Sequence, residues 1–260
     1  MSDQFQELLH QAKNNDAEAQ FQLAEAYRNG DGIPASPAEA LRWYKAAAQQ
    51  GIADAQNNLG AMYLTGSGTP QDIDEAIQWY RKAAEQDQVH AQFNLGMIYL
   101  NGNIIEKNPE EAVQWLHAAA EQGDLEALYQ LGKLLLQGED IERNIVAAAE
   151  LLTVAAIEGH LAATDLLNEK QDDIEEAALE GSIIASLCLV TRYDHGLGTD
   201  PDTAHAFAWL QWARLHGTHD EDEESLENWE NYINAVVSEA EIERGKKILN
   251  EMRGRADEMM

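Results

Sequence analysis

The chain has 260 residues, with 17 Lys and Arg against 47 Asp and Glu, a formal net charge of −30 at neutral pH. A field of that sign repels duplex nucleic acid and anionic membrane surfaces and attracts basic partners. The single cysteine, Cys188, excludes an intramolecular disulfide, and no stretch approaches the ~20 apolar residues of a membrane span. The first residues, MSDQFQELLHQAKNND, lack the basic and then apolar run of a secretory signal, so a cytoplasmic location is expected.

A period of 36 residues orders everything that follows. Ala19, Ala55, Ala91, Ala127 and Ala163 share one column, and Leu23, Leu59, Leu95, Leu131 and Leu167 another. Trp43, Trp79 and Trp115 form a third. Units that recur in this way cannot bury their apolar faces alone and stack into a solenoid. Residues 1–15 come first and read as a capping half-unit. Leu8 and Ala12 fall on the columns of Tyr44 and Ala48, Asn15 takes a helix-ending glycine position, and Gln4, Gln6 and Gln11 suit a face toward water.

Four full units follow, at 16–51, 52–87, 88–123 and 124–159. In the second, Ala55, Leu59, Met62 and Tyr63 fall at i, i+4, i+7 and i+8, the stripe of a first helix that Gly66 stops. A second helix opens at Asp72, whose column holds Ser36, Asp72, Asn108 and Asn144, all good N-caps. Pro37 and Pro109 occupy the next position, where a missing N–H costs nothing. Glu39, Glu75 and Glu111 lie three residues past the cap and predict a reciprocal capping box. Gly51, Gly123 and Gly159 close the second helices, with Asp87 as the exception, and the small Ala55, Gly60, Ala76 and Ala83 allow close helix approach. The fourth unit keeps apolar character but loses the aromatics, with Leu135, Leu151 and Leu152 in their place.

The fifth unit, 160–181, is short. Gly159 and Gly181 are 22 residues apart, so the loop and much of the second helix are expected to be missing around residues 169–173, with a change of path near 168–175. The pattern returns in unit 182–217 with Ala185, Leu189, Tyr193, Asp202, Ala206, Trp209 and Ala213. Residues 218–260 leave the register. Six acids at 220–227 predict a solvated connection, or alternatively a docking strip, running into a helix with Trp229, Tyr232 and Val236. Ser238 with Glu241 marks another capping box. Ile242, Ile248, Leu249 and Met252 then give an apolar side to a helix with Arg244, Lys246, Lys247, Arg253 and Arg255, which reads as a cap on the solenoid.

Chemistry-bearing patterns are few. His216-x-x-His219-Asp220 alone has metal-like spacing, and it lacks a second ligand pair. Gly30-Asp31-Gly32, Gly66-Ser67-Gly68 and Gly196-Leu197-Gly198 follow helices, so they are turns and not dinucleotide loops. Cys188, between Leu187 and Leu189, reads as packed and not nucleophilic. No catalytic, cofactor-binding or metal residue is expected.

The unit resembles the Sel-1-like repeat, a relative of the tetratricopeptide repeat. The likeness rests on Leu59-Gly60-x-x-Tyr63-x-x-Gly66-x-Gly68 and on Asp72-x-x-x-Ala76-x-x-Trp79-Tyr80-x-x-Ala83-Ala84, and it spans residues 16–217. It departs at Gly102-Asn103-Ile104 and Gly138-Glu139-Asp140, where the second glycine of the loop is replaced. The resemblance implies an all-α protein, a right-handed α-superhelix of helix–turn–helix repeats, acting as a non-catalytic adaptor for a protein or peptide partner. Two other readings stand beside it: an enzyme of the β-lactam-hydrolase type linked to distant relatives, and a self-associating structural element.

By the same resemblance, first helices line a concave face. The columns of positions 57, 61 and 64 oppose the core stripe, which nominates Phe21, Asn57, Leu64, Phe93, Met97, Leu100, Tyr129, Lys133 and Leu136 as partner-binding residues. The competing expectation is that these side chains pack against the next unit's first helix. Trp79 is expected to anchor the core, so Trp79→Ala should cost roughly 3–5 kcal/mol in denaturant unfolding.

Overall fold

In the computed structural model, which describes residues 3–217 and 223–259, each repeat folds as a pair of helices joined by a short turn. The chain divides into two compact halves, Met1–Asp124 and Leu125–Met260. The first half holds α1 (Asp3–Lys13) and three pairs: α2 (Ala17–Asn29) with α3 (Pro37–Gln49), α4 (Ala53–Thr65) with α5 (Ile73–Ala84), and α6 (Val89–Asn101) with α7 (Pro109–Glu121). Each helix here packs on its neighbours in sequence. No strand occurs among the described residues.

The caps explain where the helices begin. Ser36, Asp72, Asn108 and Asn144 each accept a backbone N–H three residues on, and Pro37 and Pro109 sit at the first helical turn. The reciprocal half of the capping box is not made in these repeats. The cap's own N–H instead reaches back to the first helix: Ser36 to the Tyr27 carbonyl at 2.8 Å, Asp72 to Tyr63 at 3.0 Å, Asn108 to Tyr99 at 3.0 Å. The glutamates are thereby released for other work. Glu75 and Glu111 accept the indole N–H of Trp79 and Trp115 at 3.0 and 3.2 Å, while Glu39 pairs with Arg42 and leaves the Trp43 N–H without a partner. Among the described residues, Ser238 and Glu241 do complete the box.

Small residues set the helix spacing. A Cβ on Gly60 would lie 3.0 Å from the Tyr80 ring, and one on Gly96 only 2.6 Å from Leu116 Cγ. Gly68 explains the second glycine of the turn: its φ is +74°, and a Cβ there would lie 2.5 Å from the Pro37 carbonyl oxygen of the preceding repeat. The helix-ending column tolerates two other residues. Asn15 and Asp87 are the non-glycine residues at positive φ among those described, and both types visit that region most readily.

A polar ladder runs through this half. Gln20, Gln56 and Gln92 are buried, and each donates to a carbonyl at the end of the preceding repeat's last helix, those of Ala12, Ala48 and Ala84. Each also accepts from the glutamine thirty residues on, Gln50, Gln86 and Gln122, at 2.7–2.8 Å. One side chain therefore ties three helices. Around it the core closes on Leu23, Leu59 and Leu95, all fully buried, with Trp43 and Trp79 nearly so.

The second half begins with α8 (Leu125–Gln137) and α9 (Ile145–Ile157), where Leu128 replaces the ladder glutamine. Next come α10 (Leu161–Glu169) and α11 (Gln171–Leu179), then α12 (Ile183–His195) with α13 (Thr203–His216). The shortened repeat does not lose mainly its second helix. Both helices shrink to 9 residues, and Lys170 alone replaces the loop. As a result α9 touches α10, α11 and α12. Last are α14 (Glu223–Val236) and α15 (Glu239–Met259), both packed on α13. Helix α15 approaches α13 through Gly245, where a Cβ would meet the Phe207 ring at 2.7 Å, and it buries Leu249 and Met252. Of the acidic run, residues 220–222 lie outside the described ones, and 223–227 open α14 instead of forming a connection.

The ladder makes a measurable claim. Gln56→Leu, which copies Leu128, should lower stability by about 1 kcal/mol in urea unfolding, because an apolar side chain cannot replace its two hydrogen bonds. Gln56→Ala should cost about 1–2 kcal/mol more through the added cavity. A Gln56→Leu protein more stable than the parent would show that the ladder does not contribute to folding.

Candidate functional site

Successive first helices of the N-terminal half are held side by side by polar side chains. Asn58 on α4 donates to Glu25 on α2 at 3.0 Å, and Asn94 on α6 donates to Asn57 on α4 at 3.2 Å. Glu25 also accepts from Arg28 at 2.5 Å and from the Tyr44 hydroxyl of α3. Burial, and then the adjoining Glu25 carboxylate, hold the Tyr44 phenol far above its ordinary value, so it stays a hydrogen-bond donor. Nothing in the spacing alone singled out this cluster, although Glu25 stands in the nominated column.

Around these contacts, Phe21, Leu64, Phe93, Met97 and Leu100 are half-buried, as is Asn57. Phe21 lies 6.1 Å from the Tyr44 ring, and Leu64 and Leu100 lean on the core between Ala76 and Ala112. Asn57 is engaged with the next repeat, while the apolar residues beside it keep part of their surface in water.

The remaining nominated residues lie on α8, in the other half. Tyr129 stacks on His160 with ring centroids 4.8 Å apart. His160 takes the Ala163 N–H on Nδ1 and meets Glu126 through Nε2 at 3.3 Å, so it serves as the N-cap of α10. The Gln130 amide, and secondarily His160, hold the Glu126 carboxyl below its usual range against the opposing effect of burial. Lys133 is half-buried, and Leu136 is 7% exposed, which places it in the core and out of a partner's reach.

A second polar cluster joins α11, α12, α13 and α15. Glu175, 8% exposed, accepts from Gln171 at 2.8 Å and from Arg255 at 2.7 Å. The buried Arg192 donates to Asn168 and Gln171, while its Nε and second terminal nitrogen have no partner. Tyr193 and His205 stack 4.7 Å apart beside a cavity of about 120 Å³ that Glu175 and Arg255 also line. Asp202 caps α13, meets His205 at 2.8 Å and pairs with Arg244. The cluster ties the last helix to α11 and α13 by charge. The sequence carried no signal for Glu175, because the 22-residue repeat breaks the column it would have belonged to.

Other candidates are quiet. Cys188 is buried in α12, and that burial pushes its thiol up to about 12, which leaves no thiolate at neutral pH. His219 and Asp220 of the metal-like triplet lie outside the described residues, and among those described no three His, Cys, Asp or Glu side chains gather around a common point. No described helix is long and apolar enough to cross a membrane.

A family model for the Sel1 repeat matches residues 17–52, 53–88, 89–124, 125–160 and 186–217, passing over the shortened repeat. Among solved structures, a Sel1 repeat protein from Oxalobacter formigenes is 32% identical, with a TM-score of 0.56. The match covers 77% of this chain and 88% of that one. A protective antigen of uropathogenic Escherichia coli strains, with an SLR fold, is 25% identical at a TM-score of 0.60. That match covers 95% of this chain but 55% of the antigen. No curated protein matches the chain.

The C-terminal cluster can be tested through Asp202. Burial alone would raise its carboxyl, but the side-chain and backbone bonds to His205, with Arg244, outweigh this and hold it below the usual value. A carboxyl depressed in the folded chain stabilises fully above the unfolded value, about pH 4, and loses that stabilisation as pH falls through the folded value. Asp202→Asn keeps a capping oxygen but removes the charge. It should cost about 0.5–1 kcal/mol at neutral pH, screened as the partly exposed Arg244 is, and the difference should shrink in acid unfolding titrations as pH falls below the unfolded value and through the folded one.

Proposed function

The chain belongs to the Sel1 repeat family, whose repeats build protein-interaction scaffolds, and on that premise we propose that it is a non-catalytic adaptor holding a peptide or protein on the strip formed by its first helices. The observation that supports this reading is the half-exposed row of Phe21, Leu64, Phe93, Met97 and Leu100 on helices kept adjacent by the Asn58–Glu25 and Asn94–Asn57 bonds. Side chains of this kind offer dispersion contact without a fixed shape, and methionine in particular adapts to the surface it meets. An extended segment or an amphipathic helix lying across α2, α4 and α6 would bury them further. Within the C-terminal half taken by itself, Tyr129 and Lys133 are the nominated residues left with exposed surface for a partner, without Leu136.

The charge supports a basic partner. Many of the few cations are already paired within the chain, Arg28, Arg42, Arg81, Arg143, Arg244 and Arg255 among them, so the acidic excess faces water. Such a field speeds encounter with positively charged segments and disfavours nucleic acid and anionic membrane.

Phe93→Ser combined with Met97→Ser should abolish capture of the proteins that co-purify with the parent chain, with the thermal midpoint nearly unchanged, since both side chains are only half-buried. Unfolding of the double variant would mean that these residues are core and not a binding strip. Undiminished capture by a folded double variant would move the partner to another surface.

A further inference from the structure

Helix α14 carries aromatic residues that its own packing does not use. Leu226 and Ile233, 2% and 0% exposed, are the side chains it buries where it lies on α13. Tyr232, by contrast, is 48% exposed, and Trp229 is half-buried. Their rings meet edge to face with centroids 5.7 Å apart. His195, at the end of α12, meets Trp229 in the same way at 6.3 Å. With Asp194 and Asn228, these residues line an open cleft of about 340 Å³.

Asp194 is the unusual member. Its side chain is only 10% exposed, yet its partners are the Tyr232 hydroxyl, which donates to it, and the His195 ring at 3.4 Å. No lysine or arginine among the described residues forms an ion pair with it. The carboxylates of Glu175 and Asp202, in the same half, each have an arginine. A largely desolvated carboxylate beside aromatic faces, with no permanent cation of its own, is the setting in which a cation from outside is bound most strongly.

We propose that this cleft receives an arginine side chain from a basic segment of a partner protein. A planar guanidinium can lie against the Trp229 or Tyr232 ring while donating in its own plane to Asp194, which an ammonium cannot do. Size favours a whole side chain with its flanking backbone over a single ion. Charge favours it too. Glu224 and Glu227 are exposed on the same helix, and the chain as a whole carries a net charge of −30. The site is separate from the first-helix strip and does not depend on it.

The test uses the full chain and a synthetic peptide of alternating glycine and arginine, against the same peptide with citrulline, measured by calorimetry at low ionic strength. Citrulline keeps the shape and removes the charge. The arginine peptide should bind and the citrulline peptide should not. Trp229→Ala and Asp194→Asn should each weaken binding by about tenfold or more, the order of a desolvated cation–π contact. Tyr232→Phe keeps the ring and should retain binding, and circular dichroism of each variant checks that α14 remains folded. Absence of binding by the arginine peptide, equal binding of the citrulline peptide, or variants that bind like the parent would overturn the proposal.

Discussion

One backbone hydrogen bond disciplines the whole repeat. In each full-length repeat the N–H of the second helix's cap residue reaches the carbonyl nine positions earlier: Tyr27, Tyr63, Tyr99, Leu135 and Tyr193 in turn. It closes the turn, fixes where the second helix starts, and leaves the cap's side chain free to hold the N–H groups beyond. Because acceptor and donor are both main chain, the bond survives Leu135 in the tyrosine column. What it demands is a turn of fixed length. The repeat that has only Lys170 for a loop cannot make it, and there the helices are shorter and α9 reaches across to α12.

This constraint explains which parts were legible in the sequence. Caps, stops and the core stripe are local and recur every 36 residues, so Ser36, Asp72, Asn108 and Asn144 announced the second helices and Asn15 stood in the glycine column, whereas Asp87 stood out as an exception until its positive φ showed it doing the same work. The capping box was misread because Glu75 and Glu111 had a competing donor. An indole N–H one turn along the same helix lies at a part-buried site, while the cap's N–H already has a carbonyl. The Gln20, Gln56 and Gln92 ladder was present as a column, yet glutamine carries no burial signal of its own. Only the three-dimensional meeting with Ala12, Ala48 and Ala84 gives it meaning.

The first-helix strip shows the opposite difficulty. Spacing could say that positions 57, 61 and 64 oppose the core stripe, but not how much of that side the next repeat would cover. Asn57 and Leu136 turned out to be engaged or buried, and Phe93 and Met97 half so. Solenoid helices touch neighbours on two sides, so the free surface is what remains after stacking. A column of medium-sized apolar residues is consistent with either role until the distance between first helices is known.

Acidity marks the C-terminal half as well, where Trp229 and Asp194 line a cleft. An array of stacked repeats exposes much surface for its volume, and charge keeps it from self-association, but the sign of that charge is not needed for solubility. Among the described residues no lysine or arginine pairs with Asp194, which meets the His195 ring, whereas Glu175 holds Arg255 and Asp202 holds Arg244. Those two arginines lie on α15, one of the few basic segments of the chain. These ion pairs therefore use cations to fasten the terminal helix. An arginine from outside would do for Asp194 what Arg255 and Arg244 do for Glu175 and Asp202 within this half.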